Sequence, residues 1–156
     1  MTTDDGHWNW HSSMTRSYSS DGLTFSKSGS DGAICSKLDI TLPSEFECEF
    51  TWKRGSQYSI CVNAGGGGIE CQVGSHIWYY LRQCVESATN TITESNAPSN
   101  NDVFKIVRQN GEIKYYRNDV LKGTNTLSTT DYPYLELTAY ASTRSSTIKD
   151  IKIKPL

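Results

Sequence analysis

Residues 104–122, FKIVRQNGEIKYYRNDVLK, decide how this chain folds. Asn110-Gly111 stands between two runs of alternating apolar and polar residues, and it supplies the positive φ that both central positions of a two-residue type I′ turn require. Such a turn fixes the register of a hairpin. Gln109 then faces Glu112, Arg108 faces Ile113, Val107 faces Lys114, Ile106 faces Tyr115, Lys105 faces Tyr116 and Phe104 faces Arg117. One face carries Phe104, Ile106, Ile113 and Tyr115, with an arginine at each end, and the other carries Lys105, Gln109, Glu112, Lys114 and Tyr116. A ribbon with one apolar side must bury that side against a second layer. Asn118-Asp119 offers another turn at once and sends the chain back through Val120 and Leu121.

The period of two recurs in EFECEFTWK (residues 45–53), where Phe46, Cys48, Phe50 and Trp52 alternate with Glu45, Glu47, Glu49, Thr51 and Lys53. A helix would not put all four apolar residues on one side. Further alternating runs are Tyr58-Ile60-Val62, Ile69-Cys71-Val73, Ile77-Tyr79-Leu81, Leu135-Leu137-Ala139 and Ile151-Ile153. Ile148 is out of phase with the last of these, so a bulge near Asp150 is expected. With no convincing amphipathic helix anywhere, the pattern predicts an all-β fold of antiparallel strands, a two-sheet sandwich or a barrel. Two breaks interrupt it. NAGGGGIE (residues 63–70) suits a wide turn or a close backbone approach, with a hairpin the plainer reading between neighbouring strands, and it lacks the lysine, hydroxyl and following helix of a phosphate loop. SATNTITESNAPSNN (residues 87–101) reads as a long polar loop. Residues 1–20 are assigned to a lead-in or clasp and residues 21–156 to the domain itself.

At 156 residues the chain has the size of one domain. Its net charge of −2, with lysines and arginines spread among acids, offers no basic field to a phosphate backbone, so nucleic acid is not an expected partner. No apolar run is long enough to cross a bilayer, and the opening residues do not resemble a signal peptide. Five cysteines are spaced without a C-x-x-C pair or a cysteine–histidine cluster, which disfavours zinc. Their odd count and their places in strand-like runs favour reduced core thiols over a disulfide framework.

Three pieces of the chain, DGLTFSKSGSDGAICSK (residues 21–37), FECEFTWKRG (residues 46–55) and DVFKIVRQNGEIKYYRNDVL (residues 102–121), resemble the concanavalin A-like lectin/glucanase superfamily. The likeness is to its laminin-G-like jelly-roll members, as found on phage tail and receptor-binding proteins and on microbial adhesins. The closing YLELTAYASTRSSTIKDIKIKPL looks like the final strands that return beside the first. The resemblance implies an antiparallel two-sheet jelly-roll β-sandwich with ligands on a concave face or its rim. Enzymatic relatives carry a Glu-x-Asp-x-x-Glu strand. Here Glu45, Glu47 and Glu49 alternate, no Asp stands between paired glutamates, and Phe50 or Trp52 occupies the place of the last acid. Glycoside hydrolysis needs two carboxyls about 5 to 10 Å apart across a bond, whereas alternating acids are the ordinary wet side of a strand. No catalytic residues are assigned.

Sugar recognition needs flat aromatic surface flanked by hydrogen-bonding groups. GSHIWYYLRQ (residues 74–83) provides it if Ile77, Tyr79 and Leu81 face the core, for then His76, Trp78, Tyr80 and Arg82 share the other face. Tyr116 joins them if its strand is a neighbour in the same sheet. The competing reading buries this strand on both faces or packs Trp78 under the long loop. GHWNWHSS (residues 6–13) sets His7, Asn9 and His11 against Trp8 and Trp10, which suits a tryptophan-anchored clasp or subunit contact better than a metal site. TTDD (residues 2–5) and NAPSNND (residues 96–102) leave calcium open without the spacing of an EF-hand. The expectation is a non-catalytic carbohydrate-recognition domain of a viral, phage or microbial surface protein, at a virion or outside a cell. It would bind cell-envelope glycan through Trp78, Tyr80, Arg82, His76 and Tyr116, with the loop Asn96 to Asn101 at the rim. No other cofactor and no membrane insertion are expected, and a homo-oligomer, a trimer in a fibre, is open. The rival readings are a purely structural virion or fibre module, which would bury the N-terminal tryptophans under a neighbour, and a glycan-cleaving enzyme with two carboxyls across a groove.

Overall fold

In the computed structural model of the chain, Asn110 and Gly111 have φ of 54° and 72°, the left-handed pair that the turn demands. The six residue pairs of the hairpin form in the register set out above. Asn118 and Asp119 also lie at positive φ, 51° and 62°, and close the second turn. The structure describes residues 8–28, 34–39, 41–55, 60–64, 67–71, 77–81, 89–96, 98–127, 135–139 and 145–156.

Among these, the chain runs through β1 (Trp8–Asn9), β2 (Met14–Ser19), β3 (Gly22–Lys27), β4 (Ile34–Leu38) and β5 (Phe46–Gly55). It continues through β6 (Ile60–Ala64), β7 (Gly67–Cys71), β8 (Ile77–Leu81) and β9 (Thr89–Glu94). The remaining strands are β10 (Val103–Gln109), β11 (Glu112–Arg117), β12 (Val120–Thr126), β13 (Leu135–Ala139) and β14 (Ser146–Pro155). They form two seven-stranded sheets, one ordered β1-β4-β13-β6-β7-β8-β9 and the other β12-β11-β10-β5-β14-β3-β2. Every recorded pairing is antiparallel. No helix occurs among the described residues, so none is long and apolar enough to cross a membrane. The fold is the expected all-β two-sheet sandwich.

One expectation fails. The segment read as a long polar loop contains β9, which extends the first sheet beyond β8. Thr89–Glu94 has Ile92 as its one apolar residue, so no alternation shows. Its threonines are nevertheless good strand formers, and Ile92 packs partly buried against the core.

The core lies between the sheets. From the second sheet Leu23, Phe25, Phe46, Cys48, Phe50, Trp52, Phe104, Ile106, Ile113, Tyr115 and Ile148 are buried, and from the first sheet Ile69, Leu135, Leu137 and Ala139 meet them. Phe50 and Phe104 stack with centroids 5.6 Å apart. The outer side of β5 is wet, as alternation requires: Glu49 pairs laterally with Lys105 on β10 and Lys152 on β14, and Glu47 with Lys154. Lys152 Nζ lies 3.4 Å from Glu49 Oε1. Such exposed pairs contribute little individually. The bulge near Asp150 is present. Asp150 has φ of 54°, and the β5–β14 register shifts between Lys149 and Lys152, which brings both Ile148 and Ile153 into line with the inward residues Trp52 and Cys48.

Residues 8–19 belong to the sandwich, since β1 is the outermost strand of one sheet and β2 of the other. Trp8 is buried, stacks on Trp10 at 5.4 Å and leaves Trp10 partly covered beneath the guanidinium of Arg16 at 4.8 Å. Cys35, Cys48, Cys61 and Cys71 lie on strands. Cys48 is a free, buried thiol. Burial first, and then the charges of Glu49 and Glu47, push its pKa up to about 12. At pH 8 that leaves roughly one thiolate in ten thousand, and the thiolate is the reactive form. Cys48 is therefore expected to stay unmodified by a thiol reagent in native buffer and to label fully in denaturant, as read by peptide mass spectrometry. Rapid native labelling would contradict its placement.

Candidate functional site

Strand β8 is held by β7 on one side and β9 on the other. Tyr79 is the register partner of Ile69, which is fully buried in the core. Because residues alternate between the faces of a strand, Trp78 and Tyr80 occupy positions on the face away from the core. Across the ladder Trp78 is opposite Glu70, and Tyr80 is opposite Gly68. Glu70 and Gly68 are in turn opposite Cys61 and Asn63 on β6, and these are opposite Thr138 and Glu136 on β13. Two rows therefore cross this face. One runs Thr138, Cys61, Glu70, Trp78 and on to Thr93, and the other runs Glu136, Asn63, Gly68, Tyr80.

Of the residues singled out in the sequence, Trp78 and Tyr80 come together in this way. His76 and Arg82 lie outside the described residues. Tyr116 does not join them: it is on β11, in the opposite sheet, where its ring lies 5.2 Å from Lys105 Nζ and its lateral partners are Lys105 and Leu121. Alternation shows which way a residue faces, but strand order is set by packing between distant segments, and here it separates β8 from β11. The same rows also hold Glu70, Asn63 and Glu136, which the sequence does not single out. The glycine run beside them reads first as a turn, and only the pairing of Ala64 with Gly67 shows that Gly67 and Gly68 already belong to a strand.

The loop after β9 is tied down by a polar cluster at one end of the sandwich. Asp102 Oδ2 accepts from Arg117 Nε at 2.9 Å, from an Arg117 terminal nitrogen at 2.6 Å and from the Ser99 backbone N–H at 2.8 Å, while Oδ1 accepts from Asn118 Nδ2 at 2.9 Å. Both residues of the ion pair are buried. Burial alone would raise the Asp102 pKa, but the hydrogen bonds of Asn118, Ser99 and Arg117 and the guanidinium charge outweigh it and hold the carboxyl below its ordinary value. Arg117 also reaches the Asn96 carbonyl at 3.1 Å and Glu94 at 3.3 Å, and Lys122 Nζ donates to Glu94 at 3.0 Å. Asn101 Oδ1 accepts from Lys53 Nζ at 2.6 Å. Both Asp102 oxygens, the Asn96 carbonyl and Asn101 Oδ1 thus accept hydrogen bonds from the chain itself. Among the described residues no three His, Cys, Asp or Glu side chains gather where they would hold a metal ion, and Thr2–Asp5 lies outside those residues.

Glu45 accepts from the Asn110 backbone N–H at 2.8 Å, beside a hollow of about 240 Å³ bounded by Ser44, Arg108, Gln109 and Leu127, and Glu47 and Glu49 stand opposite lysines on the neighbouring strands. At the N-terminus, the Ser13 backbone N–H donates to His11 Nδ1 at 3.1 Å and the His11 backbone N–H donates to Ser36 Oγ at 3.0 Å. His7 lies outside the described residues. Trp8 is covered by its own chain, so it needs no neighbour to bury it.

No protein-family model matches the sequence, and no curated protein matches it. Solved structures do match. The carbohydrate binding module CBM66 from Bacillus subtilis aligns with a TM-score of 0.71 over 95% of both chains at 12% identity. The legume lectin-like domain from Entamoeba histolytica aligns with a TM-score of 0.65 over 97% of this chain and 91% of that one, at 13% identity. The fold is the concanavalin A-like jelly roll. The alginate lyase AlgAT5 from Polysaccharide Lyase family 7 shares the concanavalin A-like jelly roll as well, with a TM-score of 0.63 over 92% of this chain and 83% of that one at 13% identity. Binding modules and an enzyme thus stand on the same scaffold, and at these identities the likeness establishes the scaffold alone.

Proposed function

We propose that this chain is a non-catalytic carbohydrate-recognition domain that takes glycan on the outer face of β6, β7 and β8, with Trp78 and Tyr80 as the aromatic platform. One observation carries the reading: Trp78 and Tyr80 are the register partners of Glu70 and Gly68, which are in turn opposite Cys61 and Asn63. An indole or phenol covers the C–H face of a sugar while amide and carboxylate groups take its hydroxyls. The reading is supported by two of the structural matches, a carbohydrate binding module and a lectin-like domain. It is also supported by the lysine-paired setting of Glu47 and Glu49, which suits no acid–base pair. His76 and Arg82, the next residues of the same alternation, are proposed to extend the site at either end of β8. The natural setting for such a domain is outside a cell or on a virion, where envelope polysaccharide is met.

An oligosaccharide array followed by calorimetric titration of the strongest binder tests this. Trp78→Ala and Tyr80→Ala are each expected to cost about 2 kcal/mol of binding, roughly thirtyfold in affinity, as central aromatic anchors do. Their thermal unfolding should match that of the wild type. Failure of the wild type to bind any oligosaccharide, or undiminished binding by both variants, would overturn the proposal.

A further inference from the structure

We infer that the hollow at the Asn110-Gly111 turn is a second glycan contact, separate from the face of β8, and that it takes a single uncharged, hydroxyl-rich sugar unit. At about 240 Å³ it is smaller than the roughly 300–1,000 Å³ of pockets that enclose drug-sized ligands, so it holds one ring and not a chain. Three stretches distant in sequence build it: Ser44 and Glu45 ahead of β5, Arg108 to Gly111 at the β10–β11 turn, and Leu127 after β12. Hydrogen bonds lock them together. Arg108 Nε donates to the Ser44 carbonyl at 3.0 Å, the Asn110 N–H to Glu45 Oε1 at 2.8 Å and the Leu127 N–H to the Gly111 carbonyl at 2.8 Å. A ligand therefore meets walls that are already in place, and little ordering is left for binding to offset.

What those bonds leave over points to a sugar. The ties use Arg108 Nε, one Glu45 oxygen and backbone groups. The carboxamides of Gln109 and Asn110, the Ser44 hydroxyl and Glu45 Oε2 make no hydrogen bond among the described residues. A carboxamide and a hydroxyl each donate and accept, and a carboxylate accepts only. Gathered round one hollow, they match the neighbouring hydroxyls of a sugar ring, each of which is itself a donor and an acceptor. Leu127, partly buried against the core, adds an apolar wall for a C–H face. Charge narrows the class. Arg108 and Glu45 are the one cation and the one anion of the lining, and beside the turn Glu112 is offset by Lys114 Nζ at 3.4 Å. The hollow thus has no net charge to favour a uronate or an amino sugar.

Turn chemistry alone accounts for Asn110, so the deciding variant is one that the turn tolerates. Gly-Gly also closes a type I′ turn, and Asn110→Gly keeps the N–H that Glu45 accepts while deleting the carboxamide. The isotope-labelled full chain is titrated with glucose, mannose, galactose and N-acetylglucosamine, and with glucuronate and glucosamine, while amide chemical shifts are followed. Saturable shifts at Gln109, Asn110, Gly111 and Leu127 are expected with at least one neutral sugar. Asn110→Gly and Gln109→Ala should each weaken that binding about fivefold, as the loss of one ordinary hydrogen bond does. Glu45→Gln, which still offers an oxygen to the Asn110 N–H, should weaken it about tenfold, because a charged acceptor binds more strongly. Gln109 is exposed and takes no part in the ties, so Gln109→Ala decides alone if the turn variant does not fold. Wild-type affinity in these variants, or no shift at the hollow with any neutral sugar, overturns the contact. Tighter binding of glucuronate or glucosamine overturns the assignment to an uncharged unit. Shifts confined to β6, β7 and β8 overturn this contact and leave the Trp78 platform standing. Shifts confined to the hollow, with oligosaccharide binding undiminished in Trp78→Ala and Tyr80→Ala, support this contact and overturn the platform.

Discussion

Asp102→Ala is expected to lower the stability of the chain by about 3 kcal/mol, the lower end of the range for breaking a buried ion pair. The variant leaves Arg117 buried with its principal acceptor gone, and it strips the acceptor from Ser99 N–H and Asn118 Nδ2. Glu94, 3.3 Å from Arg117, remains as a partial partner and keeps the loss from being larger. For a chain of this size that corresponds to a fall in Tm on the order of 10 °C. The sign of the pH dependence follows from the direction of the Asp102 pKa. A carboxyl held below its ordinary value stabilises the fold fully above the unfolded-state pKa, near 4 for an aspartate, and that contribution is lost as the pH falls through the depressed folded value. Melting of the two proteins at pH 7 and at pH 3 should therefore show a gap that narrows in acid. Equal melting temperatures at pH 7 would mean that the cluster contributes nothing to the fold.

Trp52→Ala is expected to cost about 3–5 kcal/mol, the usual toll of removing a large aromatic side chain from a core that cannot collapse around the gap. Trp52 is 1% exposed on β5, between β10 and β14, and is the register partner of Ile148. Its backbone also receives the loop after β9, donating to the Asp102 carbonyl at 2.8 Å and accepting from the Asn101 N–H at 2.7 Å. Those backbone bonds survive the substitution, so the loss should come from packing. Urea unfolding would show it as a lower midpoint with an unchanged slope. A loss under 1 kcal/mol would show that the two layers close over the space.

Much of the architecture was legible because its signals are local. Asn110-Gly111 fixes a turn by chain sterics, and the alternation of Phe46, Cys48, Phe50 and Trp52 with glutamates states which way β5 faces. Ile148, out of phase with Ile151 and Ile153, announced the bulge at Asp150. What escaped depends on partners distant in sequence. Thr89–Glu94 has one apolar residue, so its strand character shows only where β8 gives it a ladder. Tyr116 has the right chemistry for a sugar site, yet which sheet holds it is decided by the order in which strands assemble. The sequence shows Arg117 at the end of an apolar face, but its partnership with Asp102 depends on how the loop after β9 folds back. Asn63, Glu70 and Gly68 were hidden for a simpler reason, since a run of four glycines is read as punctuation before it is read as strand.

The placement of β14 between β5 and β3 bears on how the molecule is made. A nascent polypeptide emerging from the ribosome must release every other strand of the sandwich before this one is available, and until then the second sheet is split down its middle. Two bare ladders, on β3 and β5, stand open to any passing strand during that interval. Ladders between such distant segments also form slowly. Production in cells should accordingly reward slower synthesis or lower temperature, which lengthen the time for correct closure relative to collision with another unfinished chain.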